Sequence, residues 1–532
     1  MTMLYQKLKK QITICIYDCE CCFDSLWQEE ILNDLYDAGI KNYKLSLLQK
    51  INETKKIAVK THGGLSQRKV VNKITCQGEP WGPIECSVQI DGIGKESLNK
   101  HMEPYQYKQQ VEIPALGWID DLITVSESGH KTARMNSFIN AQIAIKKLRL
   151  GAKKCFIMHI GNKQEDYKNV QLFVDGWEVQ TVDNYTAGEE EWIDTPAENM
   201  NAISHIDSER YLGQIISSDS KNIKNITKLR NKGIGIKNKV IQMLSNMPGG
   251  IFHFEIAVIF RDAYIISSML SNSEVWYGVT RAEIRLLEQV DEQFVRELFE
   301  CSSKVATELL YLDLGLTPIS YIIKTRKLMY LHHILKQDRN SLVYRFFLAQ
   351  LSNPTKGDWV SEILEIMEEV KLGLELEEIG FISKHRFKSL VRNIVKKKAF
   401  KYLIDKKEER ISLHTKGKEL RYSELKMAQY LGASDIEMSI YEKKWLYKCR
   451  IEDIDLEANR RWNNGDIQCK NCLNTEMNQR HLLYCKYLLG KSEIVSYIPE
   501  YDDLFKEDIK EQLYISRLLK QNHTTLNAQT TM

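Results

Sequence analysis

Three aspartates and one Cys/His set are the residues of this sequence whose types and spacing could do chemistry. Asp120 and Asp121 stand side by side inside the apolar run IPALGWIDDLITV, and Asp18 closes the run ITICIYD. Two carboxylates beside a turn in apolar surroundings are costly unless a cation or hydrogen-bond donors neutralise them. If the strand ending at Asp18 lies beside a hairpin carrying Asp120 and Asp121, three carboxylates converge on one sheet edge. Hard oxygen ligands of that kind suit Mg²⁺ or Mn²⁺, and two such ions can clamp the attacking and departing oxygens of an in-line phosphoryl transfer. Ordinary turn aspartates would show the same spacing, so the Asp-Asp pair alone is a weak signal.

The second set is Cys469, Cys472, His481 and Cys485, a C-x2-C-x8-H-x3-C pattern. Two thiolates two residues apart fit a tight turn at Lys470-Asn471, and His481 and Cys485, four apart, share one helical face. All four can reach one tetrahedral Zn²⁺, and in so small a unit metal binding would supply much of the folding free energy. Coincidental cysteines are the rival account, with Cys449 the nearest spare thiol. Two further candidates fail. GIGKES (residues 92–97) has Gln89 where a phosphate loop needs its first glycine, and Glu96 between Lys95 and Ser97. His332 and His333 are adjacent on a predicted helix, so they point about 100° apart and cannot share a site; one half-buried and one exposed histidine is expected.

The elements that must position these residues belong to a long, folded chain. Its 532 residues correspond to about three or four compact units. With 43% hydrophobic and 27% charged residues it is neither disordered nor collagen-like, and a net charge of +3 says little until the charges are placed along the chain. No apolar run reaches the ~18 residues of a membrane helix; the richest, residues 251–260, meets Arg261 and Asp262. MTMLYQKLKK is not followed by a secretory signal pattern. The protein therefore reads as soluble and without a membrane partner, and its 12 cysteines as intracellular thiols or metal ligands.

ITICIY predicts a strand, SLWQEEILNDLYDAGI an amphipathic helix closing on Gly39, residues 126–150 a helix and KKCFIMHIG another strand, which makes the N-terminal part α+β. Ten acids and no Lys or Arg between Asp175 and Glu209 suggest a surface loop or insertion. From Lys221 to Lys239 seven cations occur without an acid. Ile284, Leu287, Val290, Phe294 and Leu298 then recur at helical intervals, and Thr317-Pro318 predicts an N-cap and first turn. Residues 384–422 carry 14 Lys and Arg against four acids, interleaved with Phe387, Phe400, Tyr402 and Tyr422. Such runs are usually solvated faces, yet the aromatics offer stacking positions for a nucleic acid.

The segments IYDCECCFDSLW, TCQGEPWGP, GWIDDLITV, LRLGAKKCFIMHIG and RYLGQIISSD occur in the order and approximate spacing of reverse transcriptase motifs A to E. The chain resembles the reverse transcriptase of non-LTR retrotransposons whose polymerase is followed by a Cys/His knuckle and a restriction-like endonuclease. The resemblance implies a right-hand polymerase palm, an antiparallel sheet with helices, over residues 1–219, with the acidic insertion at about 175–209. It further implies a helical thumb over 220–315, a basic helical linker over 316–450, a zinc knuckle over 451–490 and a tail over 491–532. It makes Asp18 and Asp120 the Mg²⁺ ligands, Asp121 the partner in the acidic pair, and Lys154 a proton donor to, or electrostatic stabiliser of, the leaving pyrophosphate. Phe23 would exclude a 2′-hydroxyl by its bulk, and Gln77 and Gly78 would let the backbone approach template and nucleotide. RNA template, DNA primer and dNTPs are the implied partners, and an intracellular place, nucleus before cytoplasm, the implied location.

Departures temper this. Trp118 and Ile119 replace the usual Tyr or Phe and Ala, and GEPWGPIECS replaces the usual continuation of motif B. The chain starts 17 residues before Asp18, which leaves no finger strands to hold the triphosphate, so weak or no activity is expected of this chain alone. Only 47 residues follow Cys485, without an endonuclease pattern, so the nuclease is expected to be missing. The two functional readings are an RNA-directed DNA polymerase fragment, transferring nucleotides onto a primer 3′-OH, and a catalytically inactive nucleic-acid-binding remnant.

Overall fold

The structure, a computed structural model, describes residues 12–20, 22–54, 56–58, 60–70, 81–98, 104–113, 115–119, 121–160, 170–174, 180–181, 201–219, 221–247, 253–301, 305–411, 420–432, 438–451, 453, 456, 468–469, 472, 477–485, 500–505 and 509–530. It divides into two compact units, residues 1–224 with 338–361, and residues 225–337 with 362–532.

The first unit is built on β1 (Ile12–Asp18), whose β-branched run is buried on both sides. Alternation along the strand sends Cys15 and Tyr17 into one apolar core and Ile12, Ile14 and Ile16 into another. The first core is roofed by helices α1 (Cys22–Ser25), α2 (Gln28–Asp37), α3 (Tyr43–Glu53), α4 (Gly82–Glu96) and α5 (Gly129–Ile145). The second is covered by a hairpin of β2 (Tyr105–Tyr107) and β3 (Val111–Ile113), with Ala349 of the helix Leu342–Ser352 against it.

Beside β1 run β4 (Leu116–Trp118), β5 (Asp121–Ser126), β6 (Phe156–Ile160) and β7 (Ser204–His205), in the order β7-β6-β1-β5-β4. The predicted strands and both predicted helices of this unit form, the helices as Gln28–Asp37 and Gly129–Ile145, and Gly39 follows α2 with φ +95°. The sheet is mixed, not antiparallel throughout, because β7 lies parallel to β6. That strand comes from the stretch expected to be a surface loop: residues 201–209 are drawn into strands, with Ile203 and Ile206 donating backbone hydrogen bonds to Leu172 and Ile157. The motif E segment forms the hairpin β8 (Ser208–Tyr211) and β9 (Gln214–Ser217).

Two glycines let α4 lie against the hairpin that carries the acids. A Cβ on Gly117 would meet Ile90 Cγ2 at 2.5 Å, and one on Gly94 would meet the Ala115 carbonyl oxygen at 2.9 Å. The Ser97 hydroxyl accepts from the Ala115 amide at 2.7 Å. GIGKES is thus helix and packing surface, which is why it has no loop to cradle a phosphate.

The second unit is helical: α6 (Ile223–Ser245) leads into it, followed by α7 (Arg281–Phe299), α8 (Thr307–Leu314), α9 (Ile319–Leu335), α10 (Lys384–Ile411), α11 (Ile440–Arg450), α12 (Gln479–Tyr484) and α13 (Ile509–Thr530). A Thr280–Glu283 capping box opens α7, and its apolar row Leu287, Val290, Phe294 and Leu298 is buried. Pro318 occupies the N-cap of α9 rather than its first turn, and the Thr317 carbonyl instead accepts from Arg261 at 3.3 Å. His332 is buried and His333 exposed. Two buried ionic knots tie these helices. Arg261 donates twice to Asp291, at 2.6 Å each, and Asp313 on α8 accepts from the hydroxyls of Tyr422 (2.6 Å) and Tyr430 (2.5 Å). Removing one partner of such a pair would strand a buried charge. Among the described residues no helix is long and apolar enough to cross a membrane.

Candidate active site and metal centre

Asp18 is the last residue of β1, and its antiparallel partner across the sheet is Asp121, the first residue of β5. Residues opposite one another on antiparallel strands point to the same face, so the two carboxylates share the face on which Ile16 and Ile123 also pair. Like charges so placed repel, and the arrangement calls for a cation. The structure supplies one. Lys154 Nζ lies 3.1 Å and 3.4 Å from the two carboxylate oxygens of Asp18.

Lys154 reaches Asp18 because the turn before β6 is clamped to the end of β1. The Gly151 amide donates to the Asp18 carbonyl, and the Glu20 amide to the Arg149 carbonyl, both at 2.9 Å. The Asp18 side chain is 18% exposed and that of Lys154 69% exposed, so the ammonium can swing out to water and leave the carboxylate to another cation. Motif E converges on the same place. Burial and the nearby Asp121 charge push the Tyr211 phenol up to about 12, and sequence reasoning had singled out only its motif, not this residue.

Trp118 pairs directly with Asp121, so β4 and β5 are joined through Ile119 and Asp120 alone. Ile119 has φ +60°, a left-handed conformation that a β-branched residue adopts only under strain. Asp120 lies outside the described residues, as do Gln77 and Gly78. Phe23 sits half-buried on α1, four residues beyond Cys19 in the same segment. Its neighbour Cys22 is buried, with its sulfur 3.1 Å from that of Cys86 on α4. That thiol contact, pinning α1 to α4, carried no signal in the spacing.

Asp18 and Asp121, as oxygen donors on one face with an ammonium already against one of them, fit a hard divalent cation. The Cys/His set fits a softer one. The ligand atoms of Cys469, Cys472, His481 and Cys485 lie within 4.8 Å of one another. Cys469 and Cys485 sulfurs are 3.9 Å apart, and the Cys472 sulfur is 3.3 Å from His481 Nε2. Both match the edges of a zinc tetrahedron, about 3.8 Å between sulfurs at Zn–S of ~2.3 Å. α12 ends at Tyr484, so Cys485 stands just past the helix with ψ 112° instead of on its face, yet still points into the cluster. Burial holds His481 below the usual imidazole range, which favours the neutral, ligating form. Lys470 and Asn471 lie outside the described residues.

The aromatics of the basic segment are turned wholly or partly into the protein. Phe387 is fully buried with its ring 4.9 Å from His332, Tyr402 packs on Tyr321 at 5.6 Å, and the Tyr422 hydroxyl is held by Asp313. Phe400 is half-buried. Of the four only Phe387 belongs wholly to the core; Tyr402 is half-buried like Phe400, and Tyr422 lies beyond the end of α10.

A sheet with acids in register across its central strands, helices on one face and a clamped lysine beside them is the arrangement that the resemblance to a polymerase palm implies. Residues 2–216 match the family described as "Reverse transcriptase (RNA-dependent DNA polymerase)". The match lies within the first, sheet-containing unit, whose fold is reverse-transcriptase-like. No curated protein matches the chain. Among solved structures, the chain is similar to a telomerase from Candida tropicalis in complex with a TWJ fragment of telomeric RNA. The identity is 11% and the TM-score 0.31, over 76% of this chain and 51% of that one. For a telomerase from Candida albicans in a like complex the identity is 12% and the TM-score 0.27, over 73% and 51%. The chain thus spans about half the length of the structures it matches.

Proposed function

We propose that the protein is an RNA-directed DNA polymerase of a non-LTR retrotransposon, adding deoxynucleotides to a primer 3′-OH along an RNA template. The observation that carries this reading is the register of Asp18 opposite Asp121, with Lys154 3.1 Å from Asp18. In this reading Asp18 and Asp120 hold Mg²⁺ or Mn²⁺, which would polarise the attacking hydroxyl and neutralise charge on the departing pyrophosphate. Asp121 keeps the local field negative, and Lys154, released from Asp18, faces the leaving group. Phe23 selects deoxyribose by bulk, and Gln77 and Gly78 approach the template. Residues 1–219 act as palm, 220–315 as thumb, 316–450 as basic linker, 451–490 as zinc knuckle and 491–532 as tail, in an intracellular, chiefly nuclear, setting. A Cys/His set of ligand geometry in the helical unit supports the retrotransposon lineage.

The test is template-directed dNTP incorporation with Mg²⁺ or Mn²⁺. Asp18→Asn and Asp120→Asn should each abolish synthesis while the folded protein is retained. Synthesis that survives both substitutions refutes the assignment of the acids, and hybrid binding without any synthesis leaves the second reading, a nucleic-acid-binding remnant.

A further inference from the structure

α10 is the most basic of the second unit's described helices, and six exposed cations along its first 18 residues lend the fold no ion pair or side-chain hydrogen bond among the described residues. Phe387, Val391, Val395, Ala399 and Leu403 form one buried row along it, packed toward α9 and α8. On the adjoining solvent row stand Lys384, Lys388, Arg392 and Lys396, all exposed, and on the next row Lys397 and Lys401, also exposed. No acid occurs between residues 384 and 404. None of the six cations makes an ion pair or side-chain hydrogen bond with a described residue. Further along the same helix the cations are satisfied, Lys406 by Glu409 at 2.5 Å and the buried Lys407 by the Leu420 carbonyl.

This placement works against the helix. Like charges four residues apart repel, and cations near a helix N-terminus oppose the macrodipole. A polyanion laid along the face would relieve both. From Lys384 to Lys401 the row extends about 26 Å at 1.5 Å per residue, the length of about eight nucleotide steps at ~3.4 Å. Apart from the exposed His385 the face offers charge rather than stacking rings, since Phe387 is buried and Phe400 and Tyr402 are half-buried. Single-stranded nucleic acid is gripped by aromatic stacking as well as charge, whereas a duplex keeps its bases inside and presents phosphate.

We infer that the exposed face of α10 is a docking surface for duplex nucleic acid, gripped through its phosphates without reading sequence, and that its occupant is the RNA–DNA hybrid. The choice of hybrid over other duplexes rests on the polymerase reading above; the surface itself does not.

The experiment measures fluorescence anisotropy of the full chain with a blunt RNA–DNA hybrid and with single-stranded RNA of equal length, from about 50 to about 200 mM salt. The variant is the triple substitution Lys388→Gln, Arg392→Gln and Lys396→Gln, checked by circular dichroism. The hybrid should bind better than the single strand, independent of sequence. The variant should lose at least about tenfold affinity for the hybrid at the lower salt, and its salt slope should fall by about 2.7, about 0.9 per phosphate contact. Unchanged affinity and slope, no hybrid binding by the unmodified chain, a preference for single strands, or displacement by poly-glutamate at equal charge would each overturn the inference. Hybrid binding lost in the variant while the unmodified chain makes no DNA would sink the polymerase reading and leave the surface standing. DNA synthesis with unaltered hybrid binding in the variant would do the reverse.

Discussion

The carboxylate site at the end of β1 and the Cys/His cluster around α12 are both suited to metal, but different forces assemble them. Asp18 and Asp121 are placed by strand pairing that runs from Thr13–Ser126 to their own position, inside a sheet buried on both sides. Nothing in that register depends on a bound cation, and when none is present Lys154 can stand against Asp18. The Cys/His set has no such frame. Its helix α12 has six residues, too short to persist alone, and is fixed by the Asn478 cap, by buried Leu482 and Leu483, and by Asn522 of α13 donating to the Leu482 carbonyl at 3.0 Å. Two of its ligands, Cys469 and Cys472, arrive from outside any helix or strand of more than one residue. A site fixed by a sheet outlasts its ion, whereas a site fixed by its ligands needs the metal to exist.

The largest effect should come from removing the soft metal. Structural zinc contributes an apparent ~10–16 kcal/mol in isolated finger peptides, and part of that should appear here. A zinc chelator, or Cys485→Ser, is expected to abolish one equivalent of zinc by elemental analysis and to strip hydrogen-exchange protection from residues 479–484. Amides of β1 should be unchanged. Equal loss of protection in β1 would break the contrast, and so would full protection of α12 without zinc.

A smaller effect sharpens the other side of the contrast. Lys154→Gln removes the cation nearest Asp18, and because that pair is mostly solvated on the lysine side the melting temperature should hardly move. If Lys154 protonates the leaving pyrophosphate, kcat for dNTP incorporation should fall on the order of 10²-fold, with KM little altered. Lys154→Arg then distinguishes its two roles. Recovery by Arg identifies a charge that stabilises the transition state, since guanidinium does not give up its proton, and no recovery identifies a proton donor. A lowered melting temperature with unchanged kcat would make the lysine structural.

What could be read in advance follows the same division. The Cys/His set was legible because its four ligands lie within 17 residues and their spacing encodes their geometry. The sheet core was legible because β1, β5 and β6 are apolar runs ended by Asp or Gly, although which residues pair across more than a hundred positions is fixed only by tertiary packing. The short parallel strand β7 was hidden because two residues carry no period, and its acid-rich surroundings read as solvent. The clustering of residues 338–361 with the first unit had no local signal either: Lys108 reaches Asp358 at 3.5 Å, 250 positions away. The aromatics of α10 misled because composition shows how many rings a helix has, whereas only the i, i+4 row shows which way they face.

The smallest expected effect concerns pH, and it separates the sheet's stability from metal binding. His159 on β6 is hydrogen-bonded to Thr13 on β1 at 2.9 Å and to His205 on β7 at 3.1 Å. Burial, aided by the His205 charge, pushes its imidazole down to about 4 from 6.5. A depressed folded-state value means that the unfolded chain takes up the proton first. Stability is therefore full above about pH 6.5 and declines as pH falls toward 4, by at most about 1.4 kcal/mol per unit, and by less for a group still partly solvated. Both nitrogens of neutral His159 are engaged, so His159→Gln should flatten the denaturant-midpoint profile between these limits while leaving zinc content at neutral pH unaltered. His159 and the two residues it links lie on three adjacent strands of the sheet that carries Asp18. A profile that stays steep in the variant would shift the acid sensitivity away from this histidine, and one that tracked zinc release would mean that the sheet is less independent of the metal centre than its register implies.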